Sequence, residues 1–144
     1  MTGIIIALVS GILMSVQGVF NTQVTKQTSL WISAGWVQLT ALIVCIAAWL
    51  FTGRQDVTSL FQVTPRYVLL GGVIGAAITV TVIQSMNSLG PAQSALLIVI
   101  AQLIAAWVIE LFGMFGMEKT SFEWRKLLGM AIAIAGIILF KWEK

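Results

Sequence analysis

The sequence holds no histidine, one cysteine and two prolines, and only 9% of its 144 residues are charged. Without histidine, the side chain that ordinarily titrates near neutrality is missing, both for catalysis and for a pH switch. Cys45 has no partner for a disulfide, and within the apolar run 42–50 it reads as a buried, inert thiol. A soluble domain averages about 25% charged residues, and no stretch of about 20 residues here supplies the polar exterior of a soluble fold. The net charge of +3 comes from Lys and Arg placed between apolar runs, whereas a nucleic-acid-binding face is clustered and broad. No nucleophile–base pair, metal-ligand spacing or phosphate loop occurs. The expectation is therefore no enzyme, no cofactor, no metal and no nucleic-acid partner.

What the chain does contain is apolar sequence, 59% of it. Crossing a hydrocarbon core about 30 Å thick takes about 20 mostly apolar residues in helix. Five runs meet that length or come close: residues 2–20, 31–51, 67–86, 92–112 and 124–142. These predict an all-α integral membrane bundle of five transmembrane helices, in one domain over 1–144, with the lipid bilayer as its surroundings. The first run has no basic side chain before it and no small-x-small cleavage site, so it reads as a span and not as a signal peptide.

The connections agree. Residues 21–30 are polar, and residues 52–66 carry Gly53, Arg54, Asp56 and Pro65. Pro91 suits the first turn of a helix, where its missing N–H costs nothing, and Gly113 and Gly116 are stop signals after the fourth. Residues 117–126 hold five of the thirteen charged residues. Trp31 and Trp49 lie 18 residues apart, as do Trp124 and Trp142. Each pair would span roughly 27 Å of helix, with indoles at both membrane interfaces. Five spans put the termini on opposite faces. Arg54, Arg66, Lys119, Arg125 and Lys126 then lie on the N-terminal side, against Lys26, Lys141 and Lys144 on the other. Orientation follows the Lys/Arg excess, and five against three leaves insertion both ways open.

Three groups of residues stand out within the spans. Small residues recur at helical spacing: Gly71, Gly75 and Thr79, with Gly72 and Ala76 beside them; Gly129, Ala133 and Gly136; and Gly11, Ser15 and Gly18. They read as helix-packing faces, because small residues let backbones approach in lipid. Glu110 is the one ionisable side chain inside a span. An acid at mid-helix costs roughly 2.5–3.5 kcal/mol, so Glu110 either binds a proton or cation or sits near the interface and ties down the following loop. The third group is uncharged amides. Gln17 and Asn21 share a face with Ser10, Gln84 and Asn87 end the third helix, and Gln38 and Gln102 lie deep. Such groups are either interhelical glue or the lining of a polar pathway. Trp36 and Trp107, away from the belts, either wall a pocket or face lipid.

In this order the residues resemble the drug/metabolite transporter superfamily, and within it the half-size YdcZ-type family. The resemblance is carried by Gln17 with Asn21, by Gly71, Gly72 and Gly75, and by Leu89-Gly90-Pro91-Ala92. It continues through Gln102, Ile109-Glu110-Leu111-Phe112-Gly113, Lys126-Leu127-Leu128-Gly129 and Ile134-Ala135-Gly136-Ile137. The chain departs from the family in having Ala101 where Gly often precedes the fourth-helix Gln, and Glu110 where Asp is common. Glu118 looks like the superfamily's glutamate before its last helix and reads as a loop and capping residue. The resemblance implies an inner-membrane transporter of small metabolites or drug-like solutes, working by alternating access. It would be built from two five-helix units of inverted topology, the second supplied by another copy or a paralogue. The substrate would bind near the midplane, with Gln17, Asn21, Gln38, Gln84, Gln102 and Trp107 as pathway residues. The alternative is a membrane scaffold or accessory subunit that transports nothing.

Overall fold

A computed structural model describes residues 1–141. Among them all regular secondary structure is helical, with α1 (Thr2–Gln27), α2 (Leu30–Phe51), α3 (Gly71–Leu89), α4 (Pro91–Phe112) and α5 (Trp124–Lys141). Trp142, the expected partner of Trp124 in the aromatic ruler, lies outside the described residues. The chain forms two compact units, Met1–Ser88 and Leu89–Lys144.

The first expectation to be corrected is the end of α1. Residues 21–27 were expected as loop but continue the helix. They include no Gly or Pro, and the hydroxyls that would compete for the backbone are spent on it. Thr22, Thr25 and Thr28 each donate to the carbonyl four residues earlier, at 2.8 Å, and Lys26 faces the negative end of the helix dipole. The 26 residues of α1 make about 39 Å of helix, so its last turns extend past the hydrocarbon. Only Thr28 and Ser29 then separate it from α2, and the Ser29 hydroxyl caps α2 by accepting from the Ile32 N–H.

The expected third span also begins differently. Residues Arg66–Leu70 form a 3-10 turn and the α-helix starts at Gly71, a common tightening at helix N-termini. Before it, Asp56 caps the 3-10 turn Val57–Gln62. Hydrogen bonds from the Thr58 hydroxyl and N–H hold the Asp56 carboxyl below its ordinary value.

Within the first unit α1 and α2 meet at Ser33, whose buried hydroxyl donates to the Asn21 carbonyl at 2.9 Å. Helix α3 reaches α1 at Gly18, where the Met86 thioether occupies the space a side chain would need. In the second unit α4 packs on α5, with Met130 buried. Gly113 ends α4 at φ 62°, and a Cβ there would lie 3.2 Å from the Met117 carbonyl oxygen. Glycine therefore serves both the turn and the close approach. Pro91 opens α4 as expected.

Among the described residues, four helical segments are long and apolar enough to cross a membrane: α1, α2, α3 with the 3-10 turn before it, and α4. Helix α5 has 18 residues, but Arg125 and Lys126 in its first turn and Lys141 at its end leave 14 uninterrupted apolar residues. At most 6% of the most apolar stretch of each of the four is buried. Cys45, expected to be buried, is exposed on α2, because no neighbouring helix covers that part of its surface.

The contact at Gly18 yields a prediction. An added Cβ would lie 2.5 Å from Met86 Cε, the free end of a flexible side chain that can swing aside. Gly18→Ala should leave thermal stability in detergent nearly unchanged. Gly18→Leu inserts bulk that Met86 cannot clear and should cost about 1–3 kcal/mol. Equal melting temperatures for the two variants would show that α3 does not press on α1 there.

Candidate functional site

In the first unit, α1 and α2 enclose an open groove of about 620 Å³. Ser10, Gln17 and Asn21 line it from α1, Trp36 and Thr40 from α2. The amide pair that shares a helix face in the sequence thus opens into one concavity, and Trp36 is part of its wall. Thr40 donates to the carbonyls of Trp36 and Val37, so its donor capacity is already used. Gln17 has no side-chain hydrogen bond among the described residues, and Asn21 engages only through its main-chain carbonyl. The groove offers two unengaged amides and an indole, with no charge.

The remaining amides lie elsewhere. Gln38 points its Nε2 toward Gly75, 3.9 Å from where a Cβ would stand. Gln84 is exposed near the end of α3 and Gln102 is exposed midway along α4. The structure therefore brings Gln17 and Asn21 together, but it does not bring Gln38, Gln84 or Gln102 to the same groove.

In the second unit, the end of α4 and the start of α5 bound a pocket of about 460 Å³ lined by Trp107, Glu110, Lys126, Gly129 and Met130. Lys126 Nζ stands 3.7 Å from Glu110 Oε2 and 4.0 Å from Glu123 Oε1. Sequence reasoning gives Lys126 as a topology charge and as part of the Lys126-Leu127-Leu128-Gly129 motif but not as a pocket residue, because a partner 16 positions away shows only once the α4–α5 turn is known. The Glu110 main chain does a separate task. Its carbonyl accepts from the Gly113 N–H at 3.3 Å and the Thr120 N–H at 2.9 Å. The following loop is thus anchored by backbone and not by the carboxylate. Trp107 meets Phe122 edge-on, with ring centroids 5.8 Å apart, and Phe122 leans toward Trp124. Glu118, read as a cap, lies exposed in the loop. The carbonyl that receives the first N–H groups of α5 belongs to Glu123.

Among the stripe glycines, a Cβ on Gly71, Gly129 or Gly136 would meet nothing within 4 Å, and one on Gly75 only the Gln38 amide. Their space is open within the chain.

The family model described as "Putative inner membrane exporter, YdcZ" matches residues 2–139. The chain belongs to this family. No curated protein and no solved structure matches it. This YdcZ-family protein is accordingly a multi-pass transport protein of the inner membrane. Among the described residues of this YdcZ-family protein, the α1–α2 groove and the Glu110–Lys126 pocket are concavities that carry polar side chains.

Glu110 and Lys126 are both about two-fifths exposed, and exposed pairs contribute at most about 1 kcal/mol. A double-mutant cycle on Glu110→Gln and Lys126→Gln in detergent should give a coupling below about 1 kcal/mol. Amide exchange at Thr120 should be unchanged in Glu110→Gln, because its acceptor is a main-chain carbonyl. Faster exchange there would return the loop-anchoring role to the carboxylate.

Proposed function

We propose that this YdcZ-family protein exports small organic solutes across the inner membrane by alternating access. In this reading all five helices cross the bilayer, and two copies inserted in opposite orientations form the working unit. The observation that carries it is the set of amides without a side-chain hydrogen bond on span-length helices. An amide left unpaired in hydrocarbon costs several kcal/mol. Gln17 and Asn21 in their groove, with Gln38 and Gln102 at depth, are supportable only where a second protein surface, water or a solute meets them. Uncharged amides beside Trp36 suit a solute with a flat or apolar body and a few hydrogen-bonding groups. The protein is then a carrier and not an enzyme, since an exporter releases its solute chemically unchanged.

Helix α5 crosses in this reading despite its 14 apolar residues, because Arg125 and Lys126 sit at its start, where long basic side chains snorkel to the interface. Of the open glycines, Gly129 and Gly136 border spaces between α4 and α5. The stripe at Gly71 on α3 is the one assigned to the pairing surface. Reporter fusions after residue 141 should then give signal on both faces of the membrane, and cross-linked pairs should diminish in Gly71→Leu. Signal on a single face would remove the opposed homodimer and leave a paralogue as the partner.

Glu110 is assigned to coupling, by exchanging Lys126 for a proton or another cation during the cycle. In vesicles of phosphatidylglycerol loaded with a pH dye, solute-driven proton movement should vanish in Glu110→Gln. Gln17→Leu and Asn21→Leu should each raise the half-saturating solute concentration about tenfold, the loss of roughly one hydrogen bond. Solute movement unaltered in both amide variants would exclude the α1–α2 groove from the pathway, and none in the wild-type protein would favour a scaffold.

A further inference from the structure

The Glu110–Lys126 pocket is one end of a longer feature. Leu103 lines it and also lines the adjoining space of about 650 Å³ between α4 and α5. Along α4 the lining positions 96, 99, 100, 103, 106, 107 and 110 recur every three or four residues, which is one helix face. On α5 the facing positions are 126, 129, 130, 133, 136 and 137. Small residues on this side, Gly129, Ala133 and Gly136, hold the trough open. The result is one groove, apolar along its length, with the Glu110 carboxylate and the Lys126 ammonium at a single end, where Glu123 Oε1 also stands 4.0 Å from Lys126 Nζ.

The charged end lies at the depth of a lipid headgroup. Glu110 is two residues from the end of α4, and Lys126 is in the first turn of α5. Trp124 opens α5 two residues before Lys126, and indoles favour the membrane interface. At 3.7 Å the ion pair is longer than a charge-assisted hydrogen bond, about 2.7–2.9 Å. Neither side chain makes a hydrogen bond among the described residues, so both retain capacity for a ligand. One leaflet is about 15 Å of hydrocarbon, or about ten residues of helix. The stretch from Glu110 to Ile100 therefore accommodates one acyl chain.

We infer that the α4–α5 groove is a binding site for phosphatidylethanolamine, its primary ammonium on Glu110, its phosphate on Lys126 and one acyl chain along Leu103, Met130 and Ala133. Charge complementarity selects this lipid. Phosphatidylglycerol offers Lys126 a phosphate but leaves Glu110 without a cation. Phosphatidylcholine carries an ammonium that cannot donate a hydrogen bond. The site shares Glu110 and Lys126 with the coupling proposed above and rests on α5 crossing the bilayer, but the two readings fail separately. The lipid site is tested by lipid retention with no solute present, whereas coupling is read in vesicles that lack phosphatidylethanolamine.

The full chain, purified in detergent and equilibrated with equal amounts of the three lipids, would be weighed intact by native mass spectrometry. Phosphatidylethanolamine should be retained about tenfold over phosphatidylglycerol, the discrimination of roughly one charge-assisted hydrogen bond. That preference should collapse toward parity in Glu110→Gln and in Lys126→Gln and persist in Lys126→Arg. Ala133→Phe, which fills the trough, should reduce retention of every lipid. Equal retention by the wild-type chain needs no variant to interpret and overturns the site. So does a preference that survives both charge-removing variants, and so does retention by monomers but not dimers, which would assign the groove to a second copy.

Discussion

Hydrocarbon offers no hydrogen bonds, so every polar group that enters it has to bring its partner along. The main chain meets this demand by being helical in each of the long apolar segments. Joints are placed where the demand is cheapest. Pro91 has no N–H at a helix start that could not use one, and the Gly113 N–H returns to the Glu110 carbonyl. Ser15, Thr79, Thr81 and Ser88 donate to carbonyls one turn back on their own helices. These four hydroxyls are therefore silent, whereas Ser33 reaches the Asn21 carbonyl on the neighbouring helix and the buried Ser94 hydroxyl has no partner among the described residues. The amides are the groups that this local solution does not reach, because their side chains are too long to fold back neatly onto the preceding turn and carry two donors besides an acceptor. They are the part of the molecule that calls for something outside the chain.

Charge is treated differently. A lone carboxylate in the middle of a span would cost a few kcal/mol, and this one is neither lone nor in the middle. Lys126 neutralises it, and the pair stays two-fifths exposed at the level where α4 ends and α5 begins. Such a pair adds little to stability. Its physical consequence is chemical, since it fixes a plus and a minus a few ångströms apart at the mouth of an apolar groove.

Much of this could be read from the residues in order. Helices α2 and α4 begin and end within one residue of the limits set by apolar length, because Ser29, Pro91 and Gly113 are local signals that act on their own neighbours. The end of α1 was misjudged because polarity was taken for irregularity, whereas Thr22 and Thr25 are polar residues that a helix can absorb. Gln17 and Asn21 line one groove because a four-residue spacing is a property of one helix. The Lys126 partner of Glu110 was invisible because it depends on how the segment 113–123 turns. The glycines mislead in a related way. A stripe says that a backbone can be approached, but of these glycines Gly18 meets Met86 and Gly75 the Gln38 amide, while Gly71, Gly129 and Gly136 stand open.

Depth sorts the two kinds of polar chemistry, and the sorting suits a carrier. Neutral hydrogen bonds contribute about 0.5–1.5 kcal/mol each, so an amide pair that bound a solute, as proposed, would hold it weakly enough to let it leave, which movement through any pathway requires. A charged group at the same depth would bind too tightly when paired and repel the solute from the membrane when not. Gln38 and Gln102 occupy the middle of their helices, whereas Glu110 and Lys126 occupy the ends of theirs. The deep positions can therefore change partners at little cost, while the charged positions stay near water, where neutralisation by a protein side chain, a proton or a headgroup is always within reach.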